Sequence, residues 1–241
     1  MDTTATPSIE QRLRALDWDA IEADLSARGY AETAPVLTPS ECAQVAESFD
    51  DSSRFRSTID MARHRFGRGT YRYFAHPLPD VVAELREHAY APLRRVANSW
   101  NEKLGIPERY PSTLQDFLRQ CRAAGQTRPT PLVLRYEAGG YNCLHQDLYG
   151  ELAFPMQLLC FLDRPGVDYE GGEFVMVEQR PRAQSAAEVV TGRQGALVFF
   201  TTRTRPVEGG RGHYRVNVRH GVSRVRAGVR RTLGIIFHDA R

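Results

Sequence analysis

His145 and Asp147 are separated by a single residue in Leu144-His145-Gln146-Asp147. On an extended chain, residues i and i+2 project from the same face, so an imidazole and a carboxylate would point together. A third ligand for a metal must come from elsewhere, and two histidines compete. Gly212-His213-Tyr214 follows the turn-forming pair Gly209-Gly210, whereas His220 sits among the alternating valines Val216, Val218 and Val222, as a strand residue would. His220 is therefore the expected third ligand, and His213 is left to line the mouth of the site. Two histidines and one carboxylate on one face of an octahedral ion leave three adjacent positions open, a geometry suited to iron(II) holding a chelating co-substrate and dioxygen together. Ten residues after His220, Arg230-Arg231-Thr232 places Arg230 and Thr232 on a common strand face. A guanidinium fork beside a hydroxyl matches a carboxylate, and 2-oxoglutarate would reach from the metal to that fork.

The elements that must position these groups fall into two halves. Early on, Ser8-x-x-Gln11 opens a helical pattern through Leu13, Leu16, Ile21 and Leu25 that Gly29 would end. Thr38-Pro39-Ser40-Glu41 is a second helix start, with proline in the first turn and glutamate three residues after the cap. A short strand is expected over 30–36, and helices over about 80–103, with a break near Pro92, and about 112–124. Beyond residue 130 the pattern becomes short apolar runs separated by glycine, with strands expected at 132–137, 143–148, 156–162, 173–178, 196–201, 216–222 and 230–237. Seven strands without intervening helices predict an antiparallel sandwich or barrel. Met156, Leu158, Cys160 and Leu162 read as its filling.

The matching elements His145-x-Asp147, His220 and Arg230-x-Thr232, in that order, resemble the Fe(II)/2-oxoglutarate-dependent dioxygenases. Within that superfamily, Arg135-Tyr136-Glu137-Ala138-Gly139-Gly140 followed by Leu144-His145-Gln146-Asp147 is similar to the corresponding stretch of the AlkB-type nucleic-acid demethylases. The C-terminal half further resembles a group of bacterial oxygenases expected to act on nucleic-acid bases. Two positions depart from the AlkB-type pattern: Leu233 to Phe237 contains no second arginine, and Leu134 replaces a polar side chain. The resemblance implies an α+β fold with a mainly β core, a double-stranded β-helix of jelly-roll or cupin-like form, carrying an N-terminal helical flank. It implies Fe(II), 2-oxoglutarate and dioxygen as cofactor and co-substrates, with His145, Asp147 and His220 on the metal and Arg230 and Thr232 on 2-oxoglutarate. Tyr136 would be a further 2-oxoglutarate contact, or else simple packing. Residues 1–130 would form the flank and a candidate substrate-recognition hairpin, and 131–241 the catalytic core, within one compact domain.

Composition narrows the partners. The chain has 241 residues, 41% hydrophobic and 25% charged, which excludes disordered, collagenous and coiled-coil classes. Net charge is +3, yet residues 191–241 carry 11 arginines against Glu208 and Asp239, a net of +9. That asymmetry suits an anionic substrate such as DNA or RNA. Arginines alternate with aromatics from Arg65 to Phe74, either as a nucleic-acid grip or as an amphipathic strand with Tyr71 and Tyr73 opposite Arg72. Arg203, Arg205, Arg211 and Arg215 form either an electrostatic funnel or a solvated loop. Four scattered cysteines, without a Cys-x-x-Cys pair, fit a reducing cytoplasm. No leader or membrane span is expected. The leading expectation is oxidation or demethylation of modified bases. Hydroxylation of a protein side chain or small metabolite is the alternative, and a non-catalytic barrel binding a metal or an acid is the third.

Overall fold

Side-chain caps at Ser8, Asp17, Thr38 and Thr113 determine where four of the described α-helices begin. A computed structural model describes residues 6–147 and 150–241; residues 1–5 of the stretch read for a leader lie outside it. Ser8 and Thr38 each close a capping box, opening α1 (Ile9–Arg14) and α3 (Pro39–Glu47). The first helical pattern is divided. Asp17 accepts from the Ala20 N–H and starts a separate helix, α2 (Trp18–Arg28), which Gly29 ends at φ 82°. Two longer helices follow, α4 (Asp80–Lys103) and α5 (Leu114–Ala123). The expected break at Pro92 is not there: α4 is continuous for 24 residues. Burial of Ala89, Leu93, Val96 and Trp100 on its packed side supplies the stability that the proline withholds.

In chain order the strands are β1 (Tyr30–Pro35), β2 (Phe55–Asp60), β3 (Gly67–Arg68), β4 (Thr70–Phe74), β5 (Leu132–Glu137), β6 (Tyr141–His145), β7 (Met156–Phe161), β8 (Tyr169–Gly171), β9 (Phe174–Gln179), β10 (Ala186–Val190), β11 (Ala196–Thr201), β12 (Thr204–Gly209), β13 (Gly212–Val222) and β14 (Val225–Ile236). One sheet runs β1-β11-β7-β14-β5-β4-β2, with β8 against β14; the other runs β10-β9-β13-β6-β3, with β12 against β13. Every pairing between these strands is antiparallel.

The sheets face each other across a core of Leu159, Phe161, Val198 and Phe200 from one and Phe174, Met176 and Val218 from the other. The outer face of the larger sheet is covered by helices. Met156, Leu158, Cys160 and Leu162 belong to that second core. They therefore pack under the helices and do not fill the space between the sheets, which the alternate residues of β7 occupy. Arg86 ties the helical layer to the end of β14, donating to the carbonyls of Ile236 and Phe237 and pairing with Asp239 at 2.8 Å.

Residues before 131 contribute more than helices. β1 joins β11, β2 and β4 extend the larger sheet from β5, and β3 adds to the smaller one. The strand expected at 143–148 ends at His145, so Asp147 lies just beyond it, and residue 148 lies outside the described residues.

Candidate active site

The register between β6 and β13 brings two of the expected ligands together. His145 pairs directly with His220, and their ring centroids lie 4.3 Å apart. Asp147 turns back between them, its Oδ1 3.5 Å from His145 Nε2 and its Oδ2 3.4 Å from His220 Nε2. One nitrogen from each ring and one carboxylate oxygen lie within 4.8 Å of one another, a group able to hold a metal ion. His145 Nδ1 is 2.7 Å from the Cys143 carbonyl. Donation to that oxygen assigns the proton to Nδ1 and leaves the Nε2 lone pair facing the site.

The three side chains also perturb one another's ionisation. Burial alone would raise the Asp147 carboxyl, but the hydrogen bonds and charge of His145 and His220 outweigh it and hold the group well below the ordinary carboxylate range. Burial pushes His220 down against the pull of Asp147. At His145 burial acts in the same sense, but Asp147 and the Cys143 carbonyl prevail and raise it. Gln157 on β7 donates to Asp147 Oδ2 at 2.8 Å. Gln146, between the two motif residues, donates to the carbonyls of Arg203 and Val218 at 2.8 and 2.9 Å.

Along β14, alternation sends the two arginines in opposite directions. Arg231 pairs with Asp163 at 2.7 Å, whereas Arg230 is completely buried. Its Nη1 reaches Thr232 Oγ1 at 3.4 Å, but Nε and Nη2 have no hydrogen-bond partner among the described residues. The Tyr136 hydroxyl, also fully buried, lacks one as well, and burial pushes the phenol up to about 12. The guanidinium carbon lies 5.6 Å from the Tyr136 ring centroid. Gly172, at φ +65°, approaches so closely that a Cβ there would sit 2.8 Å from Arg230 Cδ. A buried guanidinium with donors left unfilled is strongly unfavourable. These orphaned donors therefore fit a bound carboxylate, and the donor set fits 2-oxoglutarate.

A cavity of about 440 Å³ is lined by His145, Asp147 and His220 together with Tyr136 and Thr232. Met61, Phe66, Tyr71, Tyr73, Leu132 and Leu134 supply its apolar lining, and Asp147, His145, His220, Gln157 and Thr232 its polar floor. Tyr71 and Tyr73 both line it while Arg72 points away to the Phe49 carbonyl, as an amphipathic strand requires. Asn142 and Gln157 were not foreseen as site residues. The one available signal for Gln157 was a polar side chain alternating with Leu159 and Phe161 on an otherwise apolar strand. His213 is exposed on β13, in a strand and not a loop, and does not line the cavity. Arg205 is no part of a solvated cluster: it is buried against Glu178 and donates to the Ser26 carbonyl.

Residues 69–240 match the family Oxygenase-NA, described as "Oxygenase, catalysing oxidative methylation of damaged DNA". Uncharacterised proteins from two Mycobacterium tuberculosis strains are each 49% identical over 167 residues, covering 69% of this chain and 72% of theirs. Among solved structures, a Pseudomonas putida prolyl-4-hydroxylase is similar at TM-score 0.54 and 16% identity, covering 93% of this chain and 99% of that one. A Burkholderia pseudomallei oxidoreductase of the 2OG-Fe(II) oxygenase family has TM-score 0.54 and 16% identity, covering 94% and 93%. A Trichoplax adhaerens prolyl hydroxylase, in complex with a fragment of hypoxia inducible factor, has TM-score 0.58 and 15% identity, covering 96% and 92%. At such identities the structural likeness concerns the fold.

Proposed function

The chain belongs to the Oxygenase-NA family, and we propose that it is an Fe(II)- and 2-oxoglutarate-dependent dioxygenase that hydroxylates or demethylates modified nucleic-acid bases. The two facing sheets are read as a double-stranded β-helix, with β5, β14, β7 and β11 opposite β6, β13, β9 and β10. The observation that carries the reading is the fully buried Arg230, with Nε and Nη2 unfilled and Nη1 3.4 Å from Thr232, a residue that lines the same cavity as His145, Asp147 and His220.

In this reading His145, Asp147 and His220 hold iron, while Arg230, Thr232 and Tyr136 anchor the far carboxylate of 2-oxoglutarate. When bound, iron and 2-oxoglutarate supply the oxidising chemistry: dioxygen is divided between a substrate C–H bond, which becomes C–OH, and succinate, formed with release of CO2. The protein's own task is orientation and exclusion of water. Arg230 and Tyr136, sealed beneath Gly172 and Phe161, hold one end of the co-substrate in a dry recess. The apolar wall of Tyr71, Tyr73 and Leu134 suits the flat face of a base. Hydroxylation of an N-methyl group would give a product that loses formaldehyde and restores the unmodified base. This chemistry oxidises a methyl group already present, whereas the family description speaks of methylation.

The test is 2-oxoglutarate decarboxylation by the Fe(II)-loaded protein, with mass spectrometry of methylated oligonucleotides, peptides and amino acids. Stimulation by alkylated oligonucleotides with loss of their methyl groups is expected, and Asp147→Ala should abolish succinate formation. Stimulation by peptides or metabolites alone would replace the substrate assignment. Absence of any turnover in the loaded wild type would favour the non-catalytic barrel.

A further inference from the structure

We propose that the outer face of the ribbon formed by β12 and β13 binds the phosphates of a single nucleic-acid strand and holds it beside the mouth of the active site, an inference that rests on the nucleic-acid reading above. β13 is 11 residues long, but β9 pairs with it only from Asn217 onward and β6 only at His220 and Val222. Its first half pairs with β12 alone. The ribbon therefore projects beyond its neighbours by five residue pairs, or roughly 17 Å. Its root is fastened to the site itself, because Gln146 bonds the carbonyls of both Arg203 and Val218. Buried Arg205, paired with Glu178 and bonded to Ser26, clamps its base.

Alternation fixes what the ribbon presents. Val216, Val218 and His220 are buried toward the core, so Arg215, Asn217 and Arg219 face solvent, with Arg211 exposed at the tip and Arg203 at the root. Elsewhere, several surface arginines are matched by acids, Arg14 by Glu10, Arg28 by Asp24, Arg54 by Asp51 and Arg164 by Asp168, while others, such as Arg95 and Arg122 on helix surfaces, stand singly among the described residues. Arg203, Arg211, Arg215 and Arg219 have no such acidic partner among the described residues, and the ribbon's only carboxylate is Glu208. One aromatic, Phe66, is 46% exposed at the mouth of the cavity, and Tyr214, 37% exposed, stands on the face of the ribbon opposite Arg215 and Arg219. A cationic track that leads toward an exposed ring at the mouth favours an unpaired strand, whose bases can stack, over a duplex.

The experiment is fluorescence anisotropy of a labelled single-stranded oligothymidine across a salt series, with unlabelled duplex as competitor. For Arg215→Ala/Arg219→Ala, affinity at low salt should fall about tenfold, and the slope of log affinity against log salt should become shallower by about 0.7 per arginine removed. Arg95→Ala/Arg122→Ala removes the same charge from the exposed surfaces of α4 and α5, and should bind like the wild type. Decarboxylation of 2-oxoglutarate without substrate should be unchanged in both double variants. Equal weakening in the two double variants, unchanged binding by the ribbon variant, or duplex competing as well as single strand would overturn the ribbon assignment and leave the nucleic-acid reading standing. Failure of the wild type to bind any oligonucleotide at low salt would overturn both.

Discussion

Asp147 has a neighbour whose role is separable from metal ligation. Gln157 holds Oδ2 by a neutral amide at 2.8 Å, which orients the carboxylate without competing for the metal. Outer-shell partners of this kind are worth about 10–100-fold in metal affinity. Gln157→Leu is expected to weaken Mn(II) binding by that factor in anaerobic titration while leaving the thermal transition of the metal-free protein nearly in place. Affinity within twofold of wild type would remove Gln157 from the site's support. Arg230 makes the opposite trade. With Nε and Nη2 unbonded inside the protein, it costs stability until an anion arrives. Arg230→Met should therefore raise the melting temperature of the protein without co-substrate and abolish the stabilisation that 2-oxoglutarate gives the wild type. A variant that melts lower and is still stabilised by 2-oxoglutarate would contradict this role. At this scale much of the site was legible in the sequence. Strand alternation separates Arg230 from Arg231, and the valines around His220 separate it from His213. Gln157 was not legible, because its partner is reached only through the packing of β7 against the end of β6.

Elements differ in how openly their sequences declare them. α1 and α3 begin at capping boxes that any reader can find, and β5, β7 and β11 are apolar runs with glycine or proline near their ends. β10 is almost wholly exposed and β12 carries charge and proline, so neither has the alternation that marks a half-buried strand. Tertiary context also overrode local signals, since α4 passes through Pro92. The end of β14 carries a titratable consequence. His238 is buried, its Nδ1 accepts the Phe154 N–H at 3.1 Å, and burial, with Arg86 nearby, lowers the imidazole to about 4. The ordinary value is about 6.5, so the fold favours the neutral ring. The stability it contributes is complete above about 6.5 and is lost as pH falls from there through about 4, on the order of 3 kcal/mol in all. His238→Asn keeps an acceptor for Phe154 and removes the titration. Urea midpoints measured from pH 7 to pH 4 should fall less steeply for this variant than for wild type; parallel curves would show that His238 is not responsible.

For the whole molecule, the charge asymmetry separates into three uses. Arg230 faces inward to an expected dicarboxylate, Arg205, Arg226, Arg231 and Arg241 pair with Glu178, Glu173, Asp163 and Glu151, and the ribbon arginines are the proposed contacts for a polyanion. What the sequence did not convey is how far the first 130 residues complete the two sheets. Their helices supply one side of the core that contains Leu158, Leu233 and Ile235, while β1 and β4 cover the edges of β11 and β5. Cutting the chain at residue 130 would expose both that apolar face and two strand edges, the conditions for aggregation and not for a marginal fold. A fragment of residues 131–241 retains His145, Asp147, His220 and Arg230, and still should not bind Mn(II). Its circular dichroism should show no cooperative thermal transition, and it should sediment as aggregate. A monomeric fragment that melts cooperatively and binds Mn(II) like the full chain would establish the C-terminal half as an independent catalytic unit, and would make the N-terminal strands an addition to the site and not part of its frame.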